Sequence, residues 1–207
     1  EMEDPRFTDI ANRHAETAMR VLLRPDGSCN HIGILDPETG EVISLPGGQG
    51  YGEGSSWSRG QAWAVYGFAL AFLHTGNQEF LDAAKRAAHY FLANVAMTGY
   101  VSLVDFRAPK EPVYWDTTAT ACAACGLLQI AEMVPEFEKD LYYDGAVKML
   151  MALSEAHCDW NLKTDGILQN GTAAYWRDTD RHVSIIYGDY FYVEGILRLL
   201  GKEFMIW

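Results

Sequence analysis

Two stretches of this 207-residue chain are long enough for helices and carry apolar or small residues on nearly every side. The first runs from Ser56 to His74 and includes Ala62, Trp63, Val65, Tyr66, Phe68, Ala69 and Phe72; the second, DTTATACAACGLLQIAEM, has no charge between Asp116 and Glu132. A helix without a polar face has to be enclosed by other elements. The chain must therefore supply covering helices, and it does so in sequence order.

Pro5 to Leu23 has apolar residues at helical spacing (Phe7, Ile10, Ala11, Ala15, Ala18), with Pro5 in the first turn. Asn77 to Val95 sets Asp82, Lys85 and Arg86 against Phe80, Leu81, Ala84, Ala88 and Phe91, and Phe137 to His157 is amphipathic again. Gly188 to Leu200 reads as a last apolar helix, while the tail from Glu203 to Trp207 reads as frayed or packed on an edge. Thr75 and Gly76 end the first apolar helix, and Asp116 and Asp189 read as N-caps of the other two. Between Cys29 and Leu45 the residues alternate around DPETG, which predicts a small β-hairpin.

The order is surface helix, long loop, buried helix, three times over. Weak self-similarity supports a repeat: Phe7 and Ala11, Phe80 and Ala84, and Tyr142 and Ala146 stand four apart in the three surface helices. The predicted fold is all-α, with about three helical hairpins and a small β-hairpin in one loop, arranged as part of an α/α toroid. Three hairpins make half a ring. An open half exposes apolar inner faces, so further chain or self-association is expected.

A formal charge of −12 disfavours nucleic acid and anionic membrane as partners, because both require a dense cationic surface. A 49% hydrophobic fraction argues against disorder, and no apolar run free of charges is long enough to span a bilayer. Cys29, Cys122, Cys125 and Cys158 show no paired metal spacing, and Cys122 and Cys125 read as small core residues; no metal is predicted. No signal peptide is visible, and an upstream segment is expected because the chain starts close to a helix entry.

The stretch GGQGYGEGSSWSRGQAWAVYGF, Gly47 to Phe68, changes character partway along. Its glycines let backbone approach a ligand closely, and Ser55 or Ser56 is placed to cap the helix that follows. Arg59 stands in the first turn, where the helix dipole disfavours a cation, so a bound carboxylate or a nearby acid is needed to offset it. Glu53 is one candidate partner, with ligand hydroxyls as its alternative role. Trp57 reads as core, and Trp63 equally as core or as a stacking platform for a ligand. On their own, His31 reads as a surface or capping residue and Gln49 equally as a turn residue or a ligand contact. Arg177 and Arg181 suit an anionic ligand less well than a solvated loop.

Three ordered motifs, WSRGQAWAVYGF, DFRAP followed by DTTATACAACGLL, and GDYFYVEGILRL, resemble the C-terminal half of the unsaturated glucuronyl hydrolases, glycoside hydrolase family 88. The resemblance covers nearly the whole chain. It implies an (α/α)6 six-hairpin toroid, with residues 1–207 as the C-terminal half of one domain. It also implies hydration of the C4=C5 double bond of an unsaturated uronic acid at the non-reducing end of lyase-generated, glycosaminoglycan-type oligosaccharides, with release of the sugar. One carboxyl would protonate the vinyl ether and then activate water. No metal or organic cofactor is implied.

Carried over by motif, the substrate-binding residues are His31, Gln49, Arg59, Trp63 and Tyr175, with an assisting catalytic role open to His31. The family's two catalytic aspartates align upstream of Glu1, so the chain by itself is expected to be inactive. Val104 stands where the family often has an aromatic, and Arg107 where an acid is common. The compartment stays open between bacterial cytoplasm and periplasm. Two other readings remain: a hydrolase acting on unsaturated rhamnogalacturonan ends, and a non-catalytic carbohydrate-binding or pseudoenzyme module. Arg59→Ala is expected to weaken substrate use without unfolding the protein.

Overall fold

The computed structural model describes residues 5–161 and 164–202; the tail from Glu203 lies outside them. The described helices are α1 (Pro5–Leu22), α2 (Ser58–Thr75), α3 (Gln78–Val95), α4 (Thr117–Met133), α5 (Glu136–Ala156) and α6 (Ile186–Leu199). Strands β1 (Ile34–Leu35) and β2 (Val42–Ser44) pair antiparallel as the predicted hairpin. Asp36 builds its turn: the carboxylate accepts from Glu38 and Thr39 N–H, and Gly40 takes a φ of 73°.

Residue pairs show that the three inner helices run parallel. Arg59 meets Asp116 and Gly188 lies beside Thr118 at their starts, Tyr66 meets Gly126 and Glu194 midway, and Arg198 meets Glu132 near their ends. Thus α4 lies between α2 and α6. The outer helices return antiparallel through short turns. Gly76, at a φ of 69°, closes α2 with its N–H on Phe72 O, and the Asn77 side chain then accepts from Glu79 N–H to start α3. Lys85 and Glu138 pair at 2.5 Å and His89 Nε2 lies 2.9 Å from Tyr142 Oη, which joins α3 to α5.

Helix α4 is buried from Thr117 to Ala131, and its small residues are what allow three neighbours to approach. A Cβ on Gly126 would stand 2.9 Å from the Tyr66 backbone, and one on Gly195 would stand 3.1 Å from Leu150. Lower in the interior, Tyr66 Oη donates to the buried Glu194 carboxylate. Arg198 lies 3.7 Å from Glu194 and donates to Gln129 at 2.8 Å. This polar cluster joins all three inner helices. Burial and the adjacent carboxylate hold the Tyr66 hydroxyl far above its ordinary pKa, so it remains a donor.

Two predicted caps are otherwise employed. The N-cap of α2 is Trp57, without a side-chain cap bond, and neither Ser55 nor Ser56 fills the role. Their segment is drawn into a bridge with the loop before α4: Ser58 N–H donates to Val104 O and Phe106 N–H to Ser56 O. Asp189 lies inside the first turn of α6, past the N-cap Ile185, and its carboxylate accepts from Ile167 and Leu168 N–H. It holds a loop rather than capping a helix.

The repeat is asymmetric. Phe80, Ala84, Tyr142 and Ala146 are buried, whereas Phe7 is 54% exposed and Ala11 beside it is exposed too. In α1 the apolar stripe is exposed at Phe7, Ile10 and Ala11 and packs against the core only from Ala15 onward. Replacing Gly126 by Ala should destabilise the protein by about 1–3 kcal/mol, because the methyl meets backbone that has to move. Thermal unfolding checks this, with a fall in Tm of roughly 2–4 °C per kcal/mol for a chain of this size.

Candidate functional site

The starts of α2 and α4 form the floor of a site whose walls are loops. Asp105 anchors one wall. Its buried carboxylate accepts from Tyr51 N–H at 3.0 Å, Ser56 N–H at 2.9 Å and Arg107 N–H at 2.9 Å. Glycine is needed opposite, since a Cβ on Gly50 would stand 2.7 Å from Asp105 Oδ2.

Arg59 has no solvent exposure and pairs with Asp116 at 3.1 Å. It also donates to Thr172 O at 2.9 Å and Ala173 O at 2.8 Å, with its guanidinium 4.7 Å from the Trp57 ring centroid. The acid that compensates its place near the helix start is therefore Asp116, not Glu53, which lies exposed in the glycine loop. Burial raises the Asp116 carboxyl to about 6, against the pull of Arg59 and of the backbone N–H groups it caps.

These bonds bring the loop before α6 onto the glycine loop. Gln49 Nε2 donates to Ala173 O at 2.6 Å, Tyr175 N–H to Gln49 O at 2.9 Å, and Trp176 Nε1 to Tyr51 O at 2.7 Å. His31 closes the near side, its ring 4.1 Å from that of Trp57 and its Nδ1 3.0 Å from both Gly47 O and Gln49 N. Between these groups lies a cleft of about 460 Å³ lined by His31, Gln49, Trp176, Arg177 and Asp180. A second, more apolar cleft of about 270 Å³ between α1 and α2 is lined by Ala15, Ala18, His31 and Trp63.

Of the five residues carried over, His31, Gln49 and Trp63 reach these clefts. Trp63 is 46% exposed and edge-on to the buried Trp57 at 5.2 Å. Arg59 and Tyr175 are enclosed. Tyr175, 5% exposed, packs edge-on against Tyr51 and Tyr114, while its neighbour Trp176 is 65% exposed and stacks on Tyr51 at 5.3 Å. Tyr175 and Trp176 are the two central residues of a turn closed by Arg177 N–H on Ala174 O, and there one ring goes under and the other out.

Asp105 and Trp176 are the residues that sequence reasoning passed over. The signal for Asp105 was its short polar side chain two residues before Arg107, able to bond that backbone N–H. Arg181 is occupied structurally, with Nε donating to Tyr175 O at 2.9 Å and the guanidinium over Tyr114, whereas Arg177 faces the cleft 3.8 Å from Asp180. Val104 packs with Trp57 and Tyr175, and Arg107 pairs with Asp26. Among the described residues no group of three or more His, Cys, Asp or Glu is placed to hold a metal ion.

No protein-family model matches the chain. Individual proteins do. It is 38% identical over 200 residues to the unsaturated glucuronyl hydrolase of Bacillus sp. (strain GL1), a match covering 95% of this chain and 53% of that one. The crystal structure of unsaturated glucuronyl hydrolase from Bacillus sp. GL1 matches with a TM-score of 0.88 at 39% identity, over 95% of this chain and 53% of the other. This chain belongs to the unsaturated glucuronyl hydrolase family. A family member from Streptococcus agalactiae, solved as a variant complexed with dGlcA-GalNAc6S, matches with a TM-score of 0.87 at 29% identity, over 99% of this chain and 55% of that one. The chain spans about half the length of the curated relatives it matches. Its six helices accordingly correspond to part of the toroid of these glucuronyl hydrolases.

The burial of Arg59 revises the expected effect of its loss. Arg59→Ala leaves the Asp116 carboxylate enclosed and unpaired, so a loss of about 3–5 kcal/mol in unfolding free energy is expected by denaturant titration.

Acidity should act through His31, whose pKa burial and the Arg59 cation hold below its ordinary 6.5, despite Gly47 O and Asp105. The folded protein prefers the neutral ring, so this contribution is complete above 6.5 and is lost as pH falls through the lower folded value. Across that range the Tm of the native protein should fall relative to that of His31→Asn; parallel curves would show that the ring does not titrate differently on folding.

Proposed function

We propose that this chain forms the substrate-binding wall of a hydrolase that hydrates the C4=C5 bond of unsaturated glucuronic acid at the non-reducing end of lyase-generated, glycosaminoglycan-type oligosaccharides. The observation that carries the reading is the cleft itself. It combines an imidazole, an amide, an exposed indole and a cation, the groups suited to a sugar bearing one carboxylate, on a chain similar to glucuronyl hydrolases. His31, the Oε1 of Gln49 and Trp63 contact the sugar, with Trp176 as a further aromatic face. Arg59 and Tyr175 serve from beneath by holding the loop that carries Ala174 and Trp176.

The chain takes the place of the C-terminal half of the toroid. The acid–base carboxylates belong to the part of the relatives' length that it does not cover. Within the site Asp105 is saturated by backbone N–H groups, Asp116 is buried against Arg59, and Asp180 faces Arg177. Asp105 and Asp116 are thus taken up by structural partners.

The ultraviolet absorbance of the unsaturated uronide gives the test. No decay is expected with this chain alone, and clear decay with a polypeptide extended to the relatives' full length; equal decay in both would overturn the assignment of the carboxylates. Turnover of unsaturated galacturonyl-rhamnose but not of unsaturated glucuronyl disaccharides would overturn the substrate. In the extended protein, Trp63→Ala should raise KM roughly tenfold, equivalent to about 1.4 kcal/mol, with little change in Tm.

A further inference from the structure

Gly47 O and Gln49 N–H make opposite demands on one atom. Each lies 3.0 Å from His31 Nδ1, which can either donate to the carbonyl or accept from the amide. The other bonds of the loop decide between them. Gly47 O already accepts from Gly50 N–H at 3.0 Å, whereas Gln49 N–H has no second acceptor among the described residues. The carbonyl keeps a protein donor whichever way the ring is protonated, whereas the amide keeps a protein acceptor among the described residues only when Nδ1 accepts. Nδ1 as acceptor satisfies all three groups and leaves the ring proton on Nε2.

The packing exposes that nitrogen. Gly48, at a φ of 58°, lies against the Nδ1–Cε1 edge so closely that a Cβ there would stand 2.2 Å from Nδ1 and 2.5 Å from Cε1. Nε2 has no partner among the described residues, and the ring lines both clefts. We infer that His31 meets the sugar as a neutral imidazole donating from Nε2–H, in a tautomer set by the Gln49 amide, an inference that rests on the sugar reading above. In this state His31 has no free lone pair on either nitrogen to take a proton from water. It orients an oxygen of the ligand and leaves base chemistry to carboxylates.

The charged and titratable groups around the ring fit a neutral state. Arg59 of α2 opposes protonation and Asp105 before α4 favours it, while His14 of α1 lines the apolar cleft and Arg177 and Asp180 before α6 line the other. Burial adds to the Arg59 effect. A second ring proton would point at Gly47 O and displace Gln49 N–H, loosening the loop that carries the Gln49 side chain.

Long-range and one-bond proton–nitrogen correlation on the uniformly nitrogen-15-labelled chain, near neutral pH, tests this. The His31 signals are assigned by their loss in His31→Asn. A protonated Nε2 with bare Nδ1 is expected, and millimolar unsaturated chondroitin disaccharide should shift the Nε2–H pair. An Nδ1–H tautomer or an imidazolium would overturn the inference while leaving the sugar reading intact. So would disaccharide-induced shifts at the Trp63 or Trp176 indoles with none at His31. Failure of every signal to respond would reject the sugar reading and this inference with it. Asn places an acceptor near Nδ1 and Gln a donor near Nε2. His31→Asn should therefore keep the Gln49 amide shift and lose the disaccharide response, and His31→Gln should do the reverse.

Discussion

The Arg59–Asp116 pair ties together three parts of the chain that are distant in sequence. Arg59 belongs to α2, Asp116 caps α4, and the carbonyls of Thr172 and Ala173 that Arg59 also binds belong to the loop before α6. A guanidinium without solvent depends on such partners, and the terminal nitrogens of Arg59 find theirs at the start of α4 and in the loop before α6, which allows few arrangements of the three elements; its Nε has no hydrogen-bond partner among the described residues. The pair also resolves a local conflict. A cation at a helix start is disfavoured by the dipole, and a carboxylate at the neighbouring parallel start, itself stabilised by its own helix dipole, neutralises it.

Parallel inner helices follow from this and bring three helix starts to one end of the molecule, where the loops meet. The loops are bonded to one another as well as to the helices beneath. Asp105 gathers the glycine loop through Tyr51 and Ser56, while Gln49 and Trp176 fasten that loop to the 172–176 segment. Two glycines are essential in this assembly. Gly48 gives His31 room beside its backbone and Gly50 gives Asp105 room. The cleft is thus defined by backbone hydrogen bonds, and the side chains lining it are held in place before any ligand arrives.

At the opposite extreme is α1. Its Phe7 and Ala11 occupy the positions that bury Phe80 and Ala84 in α3, yet they face outward, as Trp63 does in part on α2. The chain spans about half the length of its curated relatives. Farther along α1, Ala15 and Ala18 border the second cleft beside His31 and Trp63.

Helix number, the order of outer and inner helices, the hairpin around DPETG and the Asp116 cap were legible in the sequence, because each depends on neighbours within a few residues or on periodicity along one element. Small core residues such as Cys122 and Gly126 were legible as buried for the same reason. The partners were not. That Arg59 would meet Asp116 rather than Glu53, that Asp189 would hold Ile167 and Leu168 rather than cap α6, and that Trp176 rather than Tyr175 would face the cleft all depend on contacts between residues distant in the chain or on the local direction of the backbone. A residue's type limits what it can bond; which of several suitable partners it meets is decided by the packing of the inner helices, which enclose Arg59 and leave Trp63 half in solvent.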